Sequence, residues 1–143
     1  MIESLDPVAL DTSAAVPYLM LSHPAHQAIR RQLRNRRLHL TTHSLAETCS
    51  VVTRLPGDAR LAPPDAAAPL SANFHEAVAP DNRCGGRSAY GARPVGHLGR
   101  RRVRRPVGLA AHAAVLVLIT RDARAVATYA AVGASVQIGA SSL

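Results

Sequence analysis

Two short apolar segments, each followed by an acidic residue, constrain the fold more than any other feature of this sequence. PVAL (Pro7–Leu10) runs into Asp11, and VLVLIT (residues 115–120) is followed one residue later by Asp122. Short, uninterrupted apolar runs are typical of strands buried on both faces. Because helical patterns follow each of them, the sequence predicts an α/β domain built around a parallel sheet.

The rest of the chain repeats this alternation of strands and helices. After the first strand, Thr12 or Ser13 is expected to cap a helix. A later helix is expected to open with a capping box formed by Ser44 and Glu47, and the last helix to end at Gly133. The remaining predicted elements are a surface helix with an arginine-rich face in residues 23–35, a strand in 37–43, a loop with a short helix in 56–74, a helix end in 107–114 and a strand in 135–138.

The positive charge is confined to one part of the chain. The net charge is +8, and all 17 basic residues are arginines. Eight of them lie in residues 83–105, a segment without any acid, whereas the remainder of the chain is neutral. A basic balance favours an anionic partner, with RNA or DNA as the first candidate.

The length and the termini favour a single cytoplasmic domain. At 143 residues the chain is expected to form one domain over residues 1–143. We expect no signal peptide, because the N-terminus has no basic region followed by an apolar stretch. We expect no membrane association, because no apolar run approaches the length of a membrane span. Cys49 and Cys84 lack metal-ligand spacing and are interpreted as reduced thiols, and the seven histidines form no ligand cluster.

Three carboxylates occupy equivalent positions along this pattern. Asp11 and Asp122 follow strands, and Glu47 lies near the start of the helix after the second strand. Ligands of open parallel sheets bind at the carboxyl ends of the strands. Converging carboxylates there would hold Mg²⁺, which could activate water and stabilise charge on a phosphate. The alternative is that each acid only caps a helix.

At these positions the sequence resembles a known family. VALDTSA, LAET and LITRDARAVATY, in this order, are similar to motifs of PIN domains, and specifically of VapC-type toxins of bacterial type II toxin–antitoxin systems. The resemblance covers residues 5–74 and 107–138. It implies a three-layer α/β/α fold with a short, mostly parallel central sheet, and a metal-dependent endoribonuclease that cleaves single-stranded or structured RNA.

The resemblance also assigns roles to residues and partners. It implies that Asp11, Glu47 and Asp122 are catalytic residues that bind Mg²⁺, with Mn²⁺ as the alternative ion. Thr120 and Arg121, on the loop that carries Asp122, are the expected substrate contacts. The implied partners are the RNA substrate, a cognate antitoxin and a second copy of the chain in a homodimer.

One acid of the family pattern is missing. The family carries an acid at a helix start, in VYDAL, shortly before the position of VGLAA, but this chain has Arg104 and Arg105 there. Codons permitted for residues 102–106, read one base later, encode Val-Tyr-Asp-Ala. We therefore interpret about thirty residues ending near Arg105 as translated out of frame, and expect residues 75–105 to be aberrant and poorly ordered.

The arginine-rich segment leaves open one alternative for its own role and one for the function of the chain. The arginine-rich run could be a functional arm that contacts phosphates, although it lacks the interleaved aromatic residues of a base-stacking surface. The alternative for the chain as a whole is that it has lost catalytic activity. A guanidinium cannot coordinate a metal, so the chain could be a catalytically impaired PIN-domain remnant that only binds antitoxin or RNA.

Overall fold

The computed structural model describes residues 6–57, 60–79 and 100–141. None of the helices in these ranges is long and apolar enough to cross a bilayer. In chain order the elements are β1 (Pro7–Leu10), α1 (Thr12–Leu19), α2 (His26–Gln32), β2 (Arg37–Leu40), α3 (Thr42–Thr53), α4 (Pro63–Asn73), α5 (Arg100–Ala113), β3 (Val117–Thr120), a 3₁₀ turn (Ala123–Ala125), α6 (Val126–Ala131) and β4 (Val136–Ile138).

The four strands form one parallel sheet in the order β2-β1-β3-β4. Leu10, at the end of β1, pairs with Leu40 on one side and Ile119 on the other. Because all strands run in the same direction, their carboxyl ends share one edge of the sheet. The prediction of an α/β fold with a parallel sheet is confirmed.

Each face of the sheet is covered by helices, which makes three layers. Side chains of successive strand residues point to opposite faces, so Leu10 and Ala9 belong to different cores. The first core joins the sheet to α1, α2 and α4, and the second joins it to α5 and α6. The buried members of the first core are Val8, Leu10, Ala14, Ala15, Ile29, Leu33, Leu38, Leu40, Leu70, Phe74 and Ile119. Those of the second are Ala9, Val107, Ala111, Leu116, Leu118, Ala125, Tyr129 and Ala134.

The strand predicted over residues 115–120 starts two residues late. Val115 has a φ of 55° and is 91% exposed, and the backbone N–H of Leu116 donates to the carbonyl of Ala111. Val115 and Leu116 therefore turn the chain out of α5, and β3 begins at Val117. An apolar run does not reveal this turn, because it differs from a strand in backbone conformation and not in composition.

Two predicted helix caps are wrong, whereas the predicted end at Gly133 is confirmed. Asp11 caps α1, in agreement with the alternative interpretation of this acid and not with a cap at Thr12 or Ser13. Thr41 caps α3 by accepting from the backbone N–H of Ser44, so Ser44 lies inside the helix and the capping box is absent. The left-handed φ of 85° at Gly133 follows the last turn of α6.

The prediction of poor order over residues 75–105 concerns mainly residues 80–99, which lie outside the described residues. Within the described part, Val78 bridges Thr41 next to β2, and residues 100–105 belong to α5. The predicted helix end in residues 107–114 is confirmed, since it is the C-terminal half of α5.

Candidate functional site at the carboxyl edge of the sheet

Asp11 is the centre of the candidate site. It follows β1, is 5% exposed and accepts four hydrogen bonds. Oδ1 accepts from the Ser13 hydroxyl at 2.6 Å and from the Ala14 backbone N–H at 3.2 Å. Oδ2 accepts from the Thr120 hydroxyl at 2.6 Å and from the Tyr129 hydroxyl at 2.9 Å. The carboxylate is therefore fixed in one orientation by groups from both ends of the chain.

Tyr129 is a hydrogen-bond donor in this network. Its burial raises the pKa of the phenol far above the ordinary value, and the negative charge of Asp11 and the hydrogen bond to it raise the pKa further. The phenol thus stays protonated, and its O–H remains directed at Asp11.

The Thr120 hydroxyl connects Asp11 to the loop after β3. It donates to Asp11 and accepts from the backbone N–H of Asp122 at 3.1 Å. The Ser13 hydroxyl lies 3.2 Å from it and accepts from the backbone N–H of Arg121 at 2.8 Å. The start of α1 and the loop carrying Asp122 are therefore bound to each other at this edge.

Asp122 is held by a helix cap and by an arginine. Its Oδ1 accepts from the backbone N–H of Arg124 at 3.0 Å, which caps the 3₁₀ turn. Its Oδ2 accepts from the guanidinium of Arg104, which also donates to the carbonyl of Arg124. The Arg104 side chain is 14% exposed and that of Asp122 is 33% exposed. This partly buried ion pair joins α5 to the site.

Glu47 approaches the site from α3. It is exposed, and its Oε2 accepts from the Thr12 hydroxyl at 2.9 Å. Since Thr12 directly follows Asp11, Glu47 lies beside the first turn of α1. The structure thus places the three acids predicted from the sequence at one edge of the sheet. Thr120 forms hydrogen bonds with both Asp11 and Asp122, and Thr12, next to Asp11, donates to Glu47.

As placed, these acids do not fit a Mg²⁺ ion. The described residues contain no group of three or more His, Cys, Asp or Glu side chains arranged to hold a metal. Both oxygens of Asp11 accept hydrogen bonds, and one oxygen of Asp122 contacts a guanidinium. Mg²⁺ requires oxygen ligands with free lone pairs, and a fixed positive charge beside a carboxylate disfavours a second cation.

The sequence reasoning missed Ser13 and Tyr129. Ser13 is the third residue of the DTS motif, and Tyr129 closes LITRDARAVATY. Ser13 was expected only as a possible helix cap, and Tyr129 was given no role. Their hydroxyls orient Asp11. Of the expected substrate contacts, Thr120 is the last residue of β3 and Arg121 is the first of the loop, and the Ser13 hydroxyl contacts both.

Comparisons with known proteins identify the family. The model of the PIN domain matches residues 8–84. Ribonuclease VapC27 of Mycobacterium tuberculosis (strain ATCC 25618 / H37Rv) is 40% identical over 134 residues, which cover 94% of this chain and 98% of that protein. Ribonuclease VapC40 of the same species (strain CDC 1551 / Oshkosh) is 36% identical over 129 residues, which cover 85% and 91% of the two chains.

These similarities confirm the family prediction made from VALDTSA, LAET and LITRDARAVATY. They extend along nearly the whole chain and include the part that contains Arg104. The relatives are named ribonucleases, which supports the prediction of a nuclease enzyme. The chain belongs to the PIN-domain family, within which it is of the VapC type.

Proposed function

We propose that this protein is an endoribonuclease toxin of a type II toxin–antitoxin module, and that it acts on RNA in the cytoplasm. The single observation that supports this most strongly is the network around Asp11. Residues more than 100 positions apart in the chain meet there, in a protein 40% identical to a named ribonuclease. RNA is the proposed substrate, and a cognate antitoxin and a homodimer are the proposed assemblies.

The proposed reaction is hydrolysis of an RNA phosphodiester at the carboxyl edge of the sheet. Glu47 and Asp122 are the acids there with access to solvent, and an exposed carboxylate can accept a proton from the attacking water as its oxygen bonds to phosphorus. The P–O bond to the leaving ribose oxygen breaks, and that oxygen takes a proton from solvent. Asp11 lies behind these two acids, held in one orientation by the hydroxyls of Ser13 and Thr120. Arg121 lies next to Thr120, where a guanidinium could contact the phosphate.

Dependence on Mg²⁺, or on Mn²⁺, is part of the proposal because of the family. Asp11, Glu47 and Asp122 are the acids proposed for metal binding and catalysis, and holding the ion would require Asp11 and Asp122 each to give up a hydrogen bond that it accepts in this structure. Since Arg104 contacts Asp122, binding of either ion at these acids would require the guanidinium to move away.

The Arg104–Asp122 ion pair favours a second candidate function. In it, the chain is an impaired PIN-domain protein that binds antitoxin or RNA without cleaving RNA. Arg104 lies where the acid of the family pattern is missing, consistent with a frame-shifted segment. The DNA sequence of the locus tests that origin directly, because the bases encoding residues 102–106 must read Val-Tyr-Asp-Ala one position later.

One experiment separates the two candidates. Purified protein is incubated with labelled RNA in Mg²⁺, in Mn²⁺ and in EDTA, with Asp11→Asn as the matched variant. Cleavage that needs the ion and is lost in the variant supports the ribonuclease. RNA that stays intact in every condition, together with normal growth of cells expressing the chain without antitoxin, supports the impaired protein.

A further inference from the structure

The arginine-rich face of α2 has no role in the candidate site. Arg30 and Arg31 in α2 and Arg34 in the turn that follows it are all exposed, whereas Ile29 and Leu33 are buried in the first core. The chain contains no acid between Asp11 and Glu47. In the described ranges, ion pairs are formed by Arg36 with Asp6 and by Arg104 with Asp122, and none involves these three arginines.

Arg30 is held in place before any ligand arrives. Its guanidinium lies 4.4 Å from the centre of the Tyr18 ring, and its Nη1 donates to Oδ1 of Asn73 at 3.2 Å. A cation above an aromatic ring is attracted by the ring electrons. An oriented arginine loses less conformational entropy when it binds a ligand than a freely moving one.

The three arginines border a polar cleft. Its volume is about 440 Å³, and its remaining lining residues are Tyr18, His26 and Gln27. The Nδ1 of His26 lies 2.8 Å from the carbonyl oxygen of Pro17, which fixes the imidazole ring. Guanidinium groups in such a cleft suit phosphate oxygens.

Hydrogen bonds through Ala140 connect the end of α2 to the candidate site. The Gln32 side chain accepts from the backbone N–H of Ala140 at 2.6 Å and donates to the carbonyl of Ile138 at 3.1 Å. The Nε of Arg121 donates to the carbonyl of the same Ala140 at 3.0 Å. Arg121 directly follows Thr120, so one backbone residue connects the end of α2 to the loop of the site.

We propose that the α2 basic surface, made of Arg30, Arg31 and Arg34 with Tyr18 and His26, binds the phosphate backbone of RNA that extends from the candidate site. The proposal rests on RNA being the substrate under the proposed function. It adds a binding surface outside the acids, one that holds the strand by its charge and not by its sequence.

The chemistry of the surface favours RNA over a protein segment. Its lining is polar and cationic, and the Arg30 guanidinium provides a flat surface on which a base can stack. A groove elsewhere in the described structure has the opposite character. Its lining is mostly apolar, with Leu19, Met20, Leu21, Val52, Leu55, Leu61 and Leu70 among its residues.

The test compares two double variants of the full chain that remove the same charge. Arg31→Gln/Arg34→Gln changes the α2 surface, and Arg54→Gln/Arg60→Gln changes two other exposed arginines. Binding of fluorescein-labelled oligouridine is measured by anisotropy in EDTA over a range of salt concentrations. Each phosphate contact to a single strand contributes about 0.7 to the slope of log affinity against log salt. The α2 variant should therefore lose about 1.4 of slope and roughly ten-fold in affinity at low salt, while the control variant stays close to wild type.

Three outcomes would overturn the proposal. One is an equal loss of RNA affinity in both variants, which would show that only the net charge of the protein matters. Another is unchanged RNA affinity in both variants. The third outcome uses polyglutamate as a second probe. If the α2 variant binds polyglutamate more weakly than wild type but binds RNA equally well, the surface is one for an acidic protein. A parallel cleavage assay keeps the two proposals separate. Binding that depends on α2 without cleavage contradicts only the proposed enzyme, and cleavage with unchanged affinity of the α2 variant contradicts only the surface.

Discussion

Arg104, in the first half of α5, donates through its guanidinium to the carboxylate of Asp122 in the loop after β3. The two residues are 18 positions apart and join the helix layer of the second core to the carboxyl edge of the sheet. A second donation, from Arg104 to the carbonyl of Arg124, fixes the guanidinium at this position. The guanidinium of Arg104 thus places a positive charge beside Asp122, where the proposed metal ion would bind.

Replacing Arg104 with alanine should make the acids available to a divalent cation. The change removes a unit positive charge beside Asp122 and frees one of its oxygens, so the affinity for Mn²⁺ should rise about ten-fold or more, equivalent to about 1.4 kcal/mol. Isothermal titration calorimetry of wild type and Arg104→Ala checks this. The free energy of unfolding should fall by less than about 1 kcal/mol, because Asp122 is one-third exposed.

The adjacent Arg105 offers a matched control for this measurement. It carries the same charge in the same helix, but it is exposed. Arg105→Ala should therefore leave Mn²⁺ affinity close to that of wild type. Equal gains in the two variants would show that net charge, and not the contact with Asp122, limits metal binding.

Asp11 should contribute to stability as well as to the candidate site. Asp11→Ala removes the cap of α1 and leaves the buried hydroxyls of Thr120 and Tyr129 without their acceptor. We expect a loss of about 3 kcal/mol or more in the free energy of unfolding. Asp11→Asn keeps one oxygen acceptor and should lose roughly half as much. Urea denaturation measures both, and equal stability of the two variants would contradict the network.

Tyr129→Phe should show an effect that depends on pH. At neutral pH the variant should be less stable by about 2 kcal/mol, since a hydrogen bond to a carboxylate is lost. The pKa of Tyr129 in the folded protein is raised above the ordinary value of about 10. Its contribution is therefore complete below pH ~10 and is lost as the pH rises above it. Unfolding at several alkaline pH values should show the gap between wild type and variant closing, and a constant gap would argue against the raised pKa.

The effect of Gly108→Ala on the free energy of unfolding should depend on which residue occupies position 132. A Cβ at Gly108 would lie 2.6 Å from Cγ2 of Val132 and 3.2 Å from Cδ1 of Tyr129. The clash between α5 and the end of α6 should cost about 1–3 kcal/mol, more than the ~1 kcal/mol that alanine adds to helix propensity. In a Val132→Ala background the same change should be neutral or stabilising. Thermal unfolding of the four proteins gives the coupling, and equal effects in both backgrounds would exclude this clash.

Much of the fold could be predicted because apolar strands and amphipathic helices have a period that is visible in the sequence. PVAL predicted β1, and the position of Asp11 and Asp122 after parallel strands placed both at one edge. The error at Val115 arose because a left-handed turn can be as apolar as a strand. The cap at Thr41 was missed because Ser44 and Glu47 form an equally good local pattern.

The hydrogen-bond network was less predictable than the acids. The partners of Asp11 include Tyr129, which lies 118 residues away, and no local pattern connects the two. The contact between Arg104 and Asp122 depends on how α5 packs against the second core. The sequence showed that an acid was missing at this place, but only the packing shows which carboxylate the arginine contacts.

The distant partners of Asp11 also set the order in which the site can be made. During synthesis, Asp11 leaves the ribosome early, with Ser13 and Ala14 beside it. Thr120 and Tyr129 follow only when most of the chain has been translated. A fragment that ends before β3 would carry Asp11 and Glu47, yet it would contain neither the hydroxyls that orient the one carboxylate nor the loop that carries Asp122.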